Sequence, residues 1–144
     1  MYIYSDSRHQ LIGKGVIREY LMGGKGVVTL ESPSGVSHTY CYFKPKDSSV
    51  FPEDVRFVYA LHDGRKLFYI GMIEEGVFRL THHSRFLPDT EIVRGAKYIE
   101  KMMNRDFDTP MKLYHEGVCA RCGRKLSSGK SLETGIGPKC RKLL

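Results

Sequence analysis

Three of the four cysteines lie near the C-terminus, in the pattern Cys119-x2-Cys122-x17-Cys140. A Cys-x-x-Cys pair places two thiolates on one tight turn, where they can occupy two corners of a tetrahedral metal site. The next 17 residues are enough for a small hairpin that returns the third sulfur to the same metal. The pattern therefore predicts a small structural zinc finger, with Zn²⁺ as its cofactor.

A glycine and a proline, each close to one of the cysteines, favour this arrangement. Gly123 follows the Cys-x-x-Cys pair directly and permits the backbone reversal that points amide N–H groups at the sulfurs. Pro138 suits the first position of a short helix, P-K-C-R-K-L-L, which would carry Cys140 in its first turn. There the helix dipole would stabilise a thiolate.

A closed structural zinc site needs four ligands, so three cysteines leave one ligand to be found. His115 lies four residues before Cys119, a spacing that can reach the same metal, and it is the predicted fourth ligand. Cys41 is the second candidate, provided that its strand packs against the tail. His82 and His83 are the third.

A redox function is the competing interpretation of the Cys-x-x-Cys pair. In thioredoxin-like proteins this motif follows a strand and opens a helix within a βαβ unit. The flanking glycine and arginine residues here indicate a turn instead. A metal-free tail is disfavoured as well, because a segment this short with few large apolar residues needs a staple to stay folded.

The preceding part of the chain predicts a helix followed by a series of strands. Apolar residues recur at helical spacing from Arg8 to Leu21, and Gly23-Gly24 would end that helix. β-Branched and aromatic residues on both sides of Ser32-Pro33-Ser34-Gly35 predict a β-hairpin. Three further strands are predicted in V-R-F-V-Y-A-L-H, K-L-F-Y-I-G-M-I and V-F-R-L-T.

A second helix is predicted after Asp89, which we expect to be its N-cap. Apolar residues then recur at helical spacing, at Ile92, Ala96, Ile99 and Met103. The predicted fold class is α+β, with an antiparallel sheet of about five strands, flanking helices and a small C-terminal zinc finger. We expect two domains: an α+β body at 1–110 and a zinc-binding tail module at 111–144.

The distribution of charge suggests a polyanionic partner. The chain carries a net charge of +7, and the tail holds seven basic residues against two acidic ones between His115 and Leu144. Such a basic module next to a nearly neutral body is typical of nucleic-acid binding. The predicted contacts with DNA or RNA are the basic residues around the cysteine motif: Arg121, Arg124, Lys125, Lys139, Arg141 and Lys142.

Other clusters have simpler interpretations. His82-His83 beside Arg85 is a possible phosphate-binding or catalytic cluster, but a polar strand end is the favoured interpretation. His38, Tyr40 and Tyr42 share one face of a strand, where packing in the core is favoured over the stacking of bases. The sequence contains no Walker loop, dinucleotide fingerprint or Gly-x-Ser-x-Gly motif. No set of residues argues for an enzyme.

The tail pattern C-x-x-C-G-R-x-L…S…G-I-G-P-x-C resembles the C-terminal zinc-binding motif of short, uncharacterised proteins encoded by bacteriophages, plasmids and other mobile elements. The preceding Y-H-E-G is similar to the aromatic-His-Glu-Gly sequence that precedes the family's motif, which supports His115 as a ligand. Upstream, G-G-K-G-V-V-T-L-E-S-P-S-G-V-S-H-T-Y and F-Y-I-G-M-I resemble the family's opening hairpin and middle strands. The resemblance implies a fold and a metal, and no activity.

Two functions are expected from these observations. The first is non-catalytic binding of nucleic acid through the basic tail. The alternative is an inhibitor that binds and blocks a host nucleic-acid-processing or defence protein. The sequence lacks a signal peptide and an apolar run of about 18 residues, so we expect a cytoplasmic protein, in the host cytoplasm if a phage encodes it, with no membrane partner.

Overall fold

The computed structural model describes residues 8–47, 50–126 and 129–143 of the 144-residue chain. The described part is an α+β fold built on one antiparallel sheet. Its elements in chain order are β1 (His9–Gln10), α1 (Lys14–Leu21), β2 (Lys25–Glu31), β3 (Ser37–Phe43), β4 (Arg56–His62), β5 (Lys66–Glu74), β6 (Val77–Leu80), α2 (Glu91–Asn104), β7 (Lys112–His115), α3 (Gly129–Thr134) and α4 (Pro138–Arg141).

The sheet has seven strands in the order β1-β7-β2-β3-β4-β5-β6, and all neighbouring strands are antiparallel. Strands β2 to β6 form a meander whose members follow one another along the chain, because each pair is joined by a hairpin or a single loop. These are the five predicted strands. The predicted strand count is too low, since β1 and β7 also belong to the sheet.

Strand β7 lies between β1 and β2, although it comes last in the sequence. Leu113 pairs with Leu30, and His115 pairs with Val28. On its other side β7 pairs with β1, where His9 lies opposite His115. The first strand after the predicted boundary at 110/111 is therefore part of the same sheet as the body, and the division into two domains stays a prediction.

Helices α1 and α2 pack on one face of the sheet and enclose the main core. Helix α2 buries Val93, Ala96 and Ile99, which follow one another at intervals of three residues and share one side of the helix. The tyrosines of β3, Tyr40 and Tyr42, are fully buried beneath it. The interpretation of their face as core is therefore correct, and base stacking on these two rings is excluded.

Both main helices begin later than predicted. Helix α1 starts at Lys14 because the preceding Gly13 has a φ of 94°, a left-handed conformation that a helix cannot include. His9–Gln10, inside the predicted helix, is strand β1. Helix α2 is capped by Thr90, whose hydroxyl accepts a hydrogen bond from the Val93 N–H at 3.4 Å. The prediction of Asp89 as the N-cap is wrong by one residue.

The opposite face of the sheet carries a smaller buried cluster and a row of aromatic rings. Cys41 and Val27 are buried in this cluster, and Val118 packs against it. Farther along the sheet, Tyr59 and Tyr69 are half-buried, with ring centroids 5.6 Å apart. Within the described residues, no helix has the length and apolar character needed to cross a membrane.

Candidate metal centre

The sulfur atoms of Cys119, Cys122 and Cys140 all lie within 4.8 Å of one another. All three cysteines are free thiols, and Cys119 and Cys140 are buried. The chain thus brings together the three cysteines that the sequence pattern singles out, at a separation that allows them to hold one metal ion.

The first two cysteines lie on a tight turn between Val118 and Lys125, which form an isolated antiparallel bridge. The Cys119 N–H donates to the carbonyl of Arg124 at 2.7 Å, and the Gly123 N–H donates back to the Cys119 carbonyl at 2.9 Å. Gly123 has a φ of 79°, so the turn uses the left-handed conformation that glycine adopts at little cost. The predicted reversal after the Cys-x-x-Cys pair is confirmed.

The third cysteine comes from α4, which begins at Pro138 as predicted. Gly137 is the N-cap residue of this short helix, and its backbone N–H donates to the sulfur of Cys119 at 3.3 Å. The loop before α4 therefore has two roles. It positions Cys140 in the cluster, and its Gly137 N–H donates a hydrogen bond to the sulfur of Cys119.

The environment favours a thiolate at Cys119. Burial alone would raise the pKa of its thiol, but backbone N–H groups of Gly137, Cys122 and Arg121 outweigh burial and lower the pKa to about 7. The pKa of Cys140 is raised, first by burial and then by its two neighbouring thiols. Three sulfurs this close cannot all ionise readily without a cation between them, and thiolate is the form that binds metal.

The cluster is fastened to the body through backbone and side-chain contacts. The Lys25 N–H at the start of β2 donates to the Ala120 carbonyl at 2.6 Å. The Tyr20 hydroxyl at the end of α1 donates to the Val118 carbonyl at 3.0 Å. Arg141 in α4 forms two hydrogen bonds of 2.9 Å with the carboxylate of Glu19 in α1. Both halves of the site are thus held against the end of α1.

His115 is not among the clustered ligand atoms. Its side chain is 0% exposed, and both ring nitrogens have other partners. The Gly117 N–H donates to Nδ1 at 3.0 Å, so the proton is on Nε2, which faces the Leu132 carbonyl. Burial lowers the pKa of His115, and this keeps the imidazole neutral. The structure therefore places the predicted fourth ligand outside the cluster of thiols, with both ring nitrogens facing backbone groups.

The other two candidates for a fourth ligand are also outside the cluster. Cys41 is fully buried on the far face of the sheet, where burial raises the pKa of its thiol to about 12. His82 and His83 are exposed in the loop after β6, with ring centroids 3.9 Å apart. Within 8–47, 50–126 and 129–143, the cluster consists of three thiols, which leaves one position of a tetrahedral site for another group.

Basic residues surround the thiols. A groove of about 470 Å³ is lined by all three cysteines and by Arg121, Arg124, Lys125 and Lys139. Lys142 is exposed on the adjacent helix end. Arg141 differs from the rest, because its guanidinium is paired with Glu19. The sequence gives no signal for that pairing, since the two residues are 122 positions apart.

The donor set fits a soft or borderline cation. Thiolates select zinc, iron–sulfur clusters and Cu(I), whereas magnesium and calcium prefer oxygen ligands. The donor from Gly137 to the sulfur is a supporting contact of the kind that holds metal ligands in place. The structure establishes three thiols close enough to hold a metal ion. Because the donors are sulfur atoms, that ion is expected to be a soft or borderline cation.

A comparison with known proteins finds one family that matches the C-terminal part of the chain. Residues 113–144 match the model of a family of unknown function, DUF6011. The chain is similar to this family over a segment that begins within β7 and contains all three clustered cysteines. No curated protein and no solved structure matches the chain.

Proposed function

We propose that Cys119, Cys122 and Cys140 hold one structural zinc ion, and that the zinc-loaded tail binds the phosphate backbone of nucleic acid. The single observation that carries this proposal is the groove shared by the thiols and four basic side chains. Bound zinc would supply the cross-link between the turn and α4. The basic groups on both would then keep a fixed spacing.

The metal is expected to provide most of the stability of this tail. Helices α3 and α4 have only six and four residues, which is too short for either to persist on its own. Structural zinc typically contributes an apparent binding free energy of about 10–16 kcal/mol in small fingers. The fourth ligand would be water, or a group from outside the described residues.

The basic surface suits contact with phosphates. Arg121, Arg124, Lys125 and Lys139 are exposed, and within the described residues none of them forms an ion pair with a carboxylate. Unpaired cations at fixed spacing release counterions when they bind a polyanion, which makes the affinity salt-dependent. Arg141 is better assigned to holding α4 on the body.

The experiment is fluorescence anisotropy of zinc-loaded protein with labelled single-stranded DNA, duplex DNA and RNA over a salt series. We expect binding whose affinity falls steeply with salt, with a slope that counts the phosphates neutralised. The double variant Arg124→Gln/Lys125→Gln should reduce that slope by about two. Its matched control is Lys66→Gln/Lys97→Gln, which removes two exposed charges that do not line the groove.

The outcomes test metal binding and nucleic-acid binding independently. If the control variant lowers the slope as much as the tail variant, net charge alone drives binding and the basic groove has no special role. If no nucleic acid binds at low salt, the nucleic-acid function is wrong, whatever the metal content. Metal analysis of the same samples tests the zinc independently, with one zinc per chain as the expected result.

A second candidate function is an inhibitor that binds and blocks a host nucleic-acid-processing or defence protein. It is favoured by the half-buried aromatic row on the sheet face opposite the helices, where Phe57 and Tyr69 have ring centroids 6.0 Å apart. Aromatic side chains are common anchors in protein interfaces. The resemblance of the tail to proteins of bacteriophages and mobile elements supports this role, and with it a place in the host cytoplasm.

A further inference from the structure

A second groove, of about 1160 Å³, lies away from the thiols and shares no lining residue with their groove. It is bounded by the start of β3, the turn between β4 and β5, and the loop that precedes α2. Small-molecule sites typically enclose roughly 300–1,000 Å³. This groove is therefore large enough for a ligand of nucleotide size.

The floor of the groove is apolar and includes an aromatic ring. Ala60 near the end of β4 is buried, while Phe68, Phe86 and Ile92 are partly buried around it. The flat face of a heterocyclic base can stack on the accessible phenyl ring of this apolar floor. Such stacking does not depend on which base is present, because every base has a π-face.

Two arginines provide unpaired positive charge at the rim. The guanidinium of Arg85 lies 5.8 Å from the centroid of the Phe68 ring, and Arg65 lines the same groove. In the described part of the chain, neither arginine forms an ion pair with a carboxylate. Arginine is the side chain best suited to a phosphate, because its planar fork can donate two hydrogen bonds at once.

One carboxylate, that of Asp63, is among the residues that line the groove. It is largely exposed and lies 3.3 Å from His62 Nε2. The two guanidiniums outnumber this carboxylate, so the charged groups that line the groove sum to a net positive charge. A charge distribution of this kind favours an anionic occupant over a neutral one.

Both arginines project from backbone that is fixed by hydrogen bonds. The Arg65 N–H donates to the His62 carbonyl at 3.2 Å and closes the turn between β4 and β5. The Arg85 N–H donates to the Tyr69 carbonyl at 2.8 Å, which ties its loop to β5. Fixed attachment points reduce the entropy cost of holding a ligand between them.

We propose that this groove binds a nucleotide, with the base on the Phe68 ring and the phosphate between Arg65 and Arg85. This proposal gives a role to Arg85, which the thiol-based function does not use. In the proposed site Arg85 acts without His82 and His83, because neither histidine lines the groove. The site requires neither zinc nor the basic tail, so it stands or falls independently of the nucleic-acid function.

The test is isothermal titration calorimetry of the zinc-loaded chain with the four nucleoside monophosphates AMP, CMP, GMP and UMP. Adenosine and inorganic phosphate are titrated separately as the two halves of the ligand. We expect saturable binding of at least one nucleotide, tighter than either half. Because hydrogen bonds to charged groups are strong, Arg85→Gln and Arg65→Gln should each weaken that binding at least tenfold.

The matched control is Arg105→Gln. Arg105 also lies over a phenylalanine ring, 5.7 Å from the centroid of Phe107, but it does not line this groove. The Arg105→Gln variant should bind nucleotides as the unmodified chain does, and so should the Arg124→Gln/Lys125→Gln tail variant. Phe68→Leu keeps the floor apolar, removes the ring, and should weaken nucleotide binding while leaving phosphate binding unchanged.

Three results would overturn the proposal. The first is the absence of nucleotide binding at millimolar concentration in protein of native melting temperature. The second is equal binding of phosphate and nucleotide, which would mean a simple anion site. The third is nucleotide binding that Arg65→Gln and Arg85→Gln leave unchanged, which would place the nucleotide elsewhere.

Discussion

The imidazole of His115 stacks on the phenol ring of Tyr20, with ring centroids 5.4 Å apart and planes inclined by 22°. This pair joins the sheet to α1. His115 also stacks against the half-buried ring of His9, with ring centroids 6.0 Å apart. The buried His115 ring thus contacts two aromatic rings, and its two nitrogens hold the backbone at Gly117 and Leu132.

We expect His115→Ala to lower stability and leave the metal in place. The change removes a buried ring and leaves the Gly117 N–H without a partner, which should cost about 2–4 kcal/mol of unfolding free energy. Metal content by mass spectrometry and chemical denaturation of the zinc-loaded protein would measure the two effects. A drop in zinc affinity with unchanged stability of the metal-free protein would instead make His115 a ligand.

Three of the four cysteines should be required for metal binding, and Cys41 should not. Cys119→Ser, Cys122→Ser or Cys140→Ser should each abolish stoichiometric zinc binding, because two thiolates cannot hold a closed site. Cys41→Ala is the control, since this thiol is buried in a separate cluster. Cobalt substitution reads the number of sulfur ligands from the visible spectrum. Loss of the cobalt spectrum in Cys41→Ala would identify a fourth thiolate.

Gly135→Ala should destabilise the docking of the tail. Gly135 has a φ of 79°, and a Cβ there would lie 2.6 Å from Cε2 of Tyr20 and closer still to Cδ2. Left-handed strain and overpacking together predict a cost of about 2–4 kcal/mol. Gly15→Ala in α1 is the matched control, because nothing lies within 4 Å of its added Cβ, and it should stabilise the protein by about 0.5–1 kcal/mol. Thermal denaturation of both variants compares them.

The Glu19–Arg141 pair should contribute little energy but restrict the position of α4. Both side chains are about two-fifths exposed, at 41% and 39%, so solvent screens the pair and a coupling of about 0.2–1 kcal/mol is expected. A double-mutant cycle with Glu19→Gln and Arg141→Gln measures it. The coupling should shrink at high salt. Arg141→Gln should also retain most nucleic-acid affinity, in contrast to Arg124→Gln.

Local patterns were sufficient where a structure depends on residues close in sequence. The turn that carries Cys119 and Cys122, and the short helix that begins at Pro138, both follow from glycine and proline at fixed offsets. Strand β7 did not follow from any such pattern. Its partners in β2 lie some eighty positions away, and four residues give too short a stretch for alternation to be recognised.

The prediction for His115 shows the same limit at a functional site. Spacing along the chain allowed this histidine to reach the metal. Its register opposite Val28 instead directs the ring into the core. Register between strands depends on the whole sheet, so the spacing of a motif alone does not show which way the ring points.

The position of β7 between β1 and β2 also has a consequence for synthesis on the ribosome. The meander from β2 to β6 can pair as it emerges, since each strand follows its neighbour. Strand β1 precedes the other described strands and pairs with β7, and residues 112–115 emerge more than a hundred residues after it. The N-terminal strand must therefore wait for the segment that leads into the thiol cluster, and this edge of the sheet is completed last.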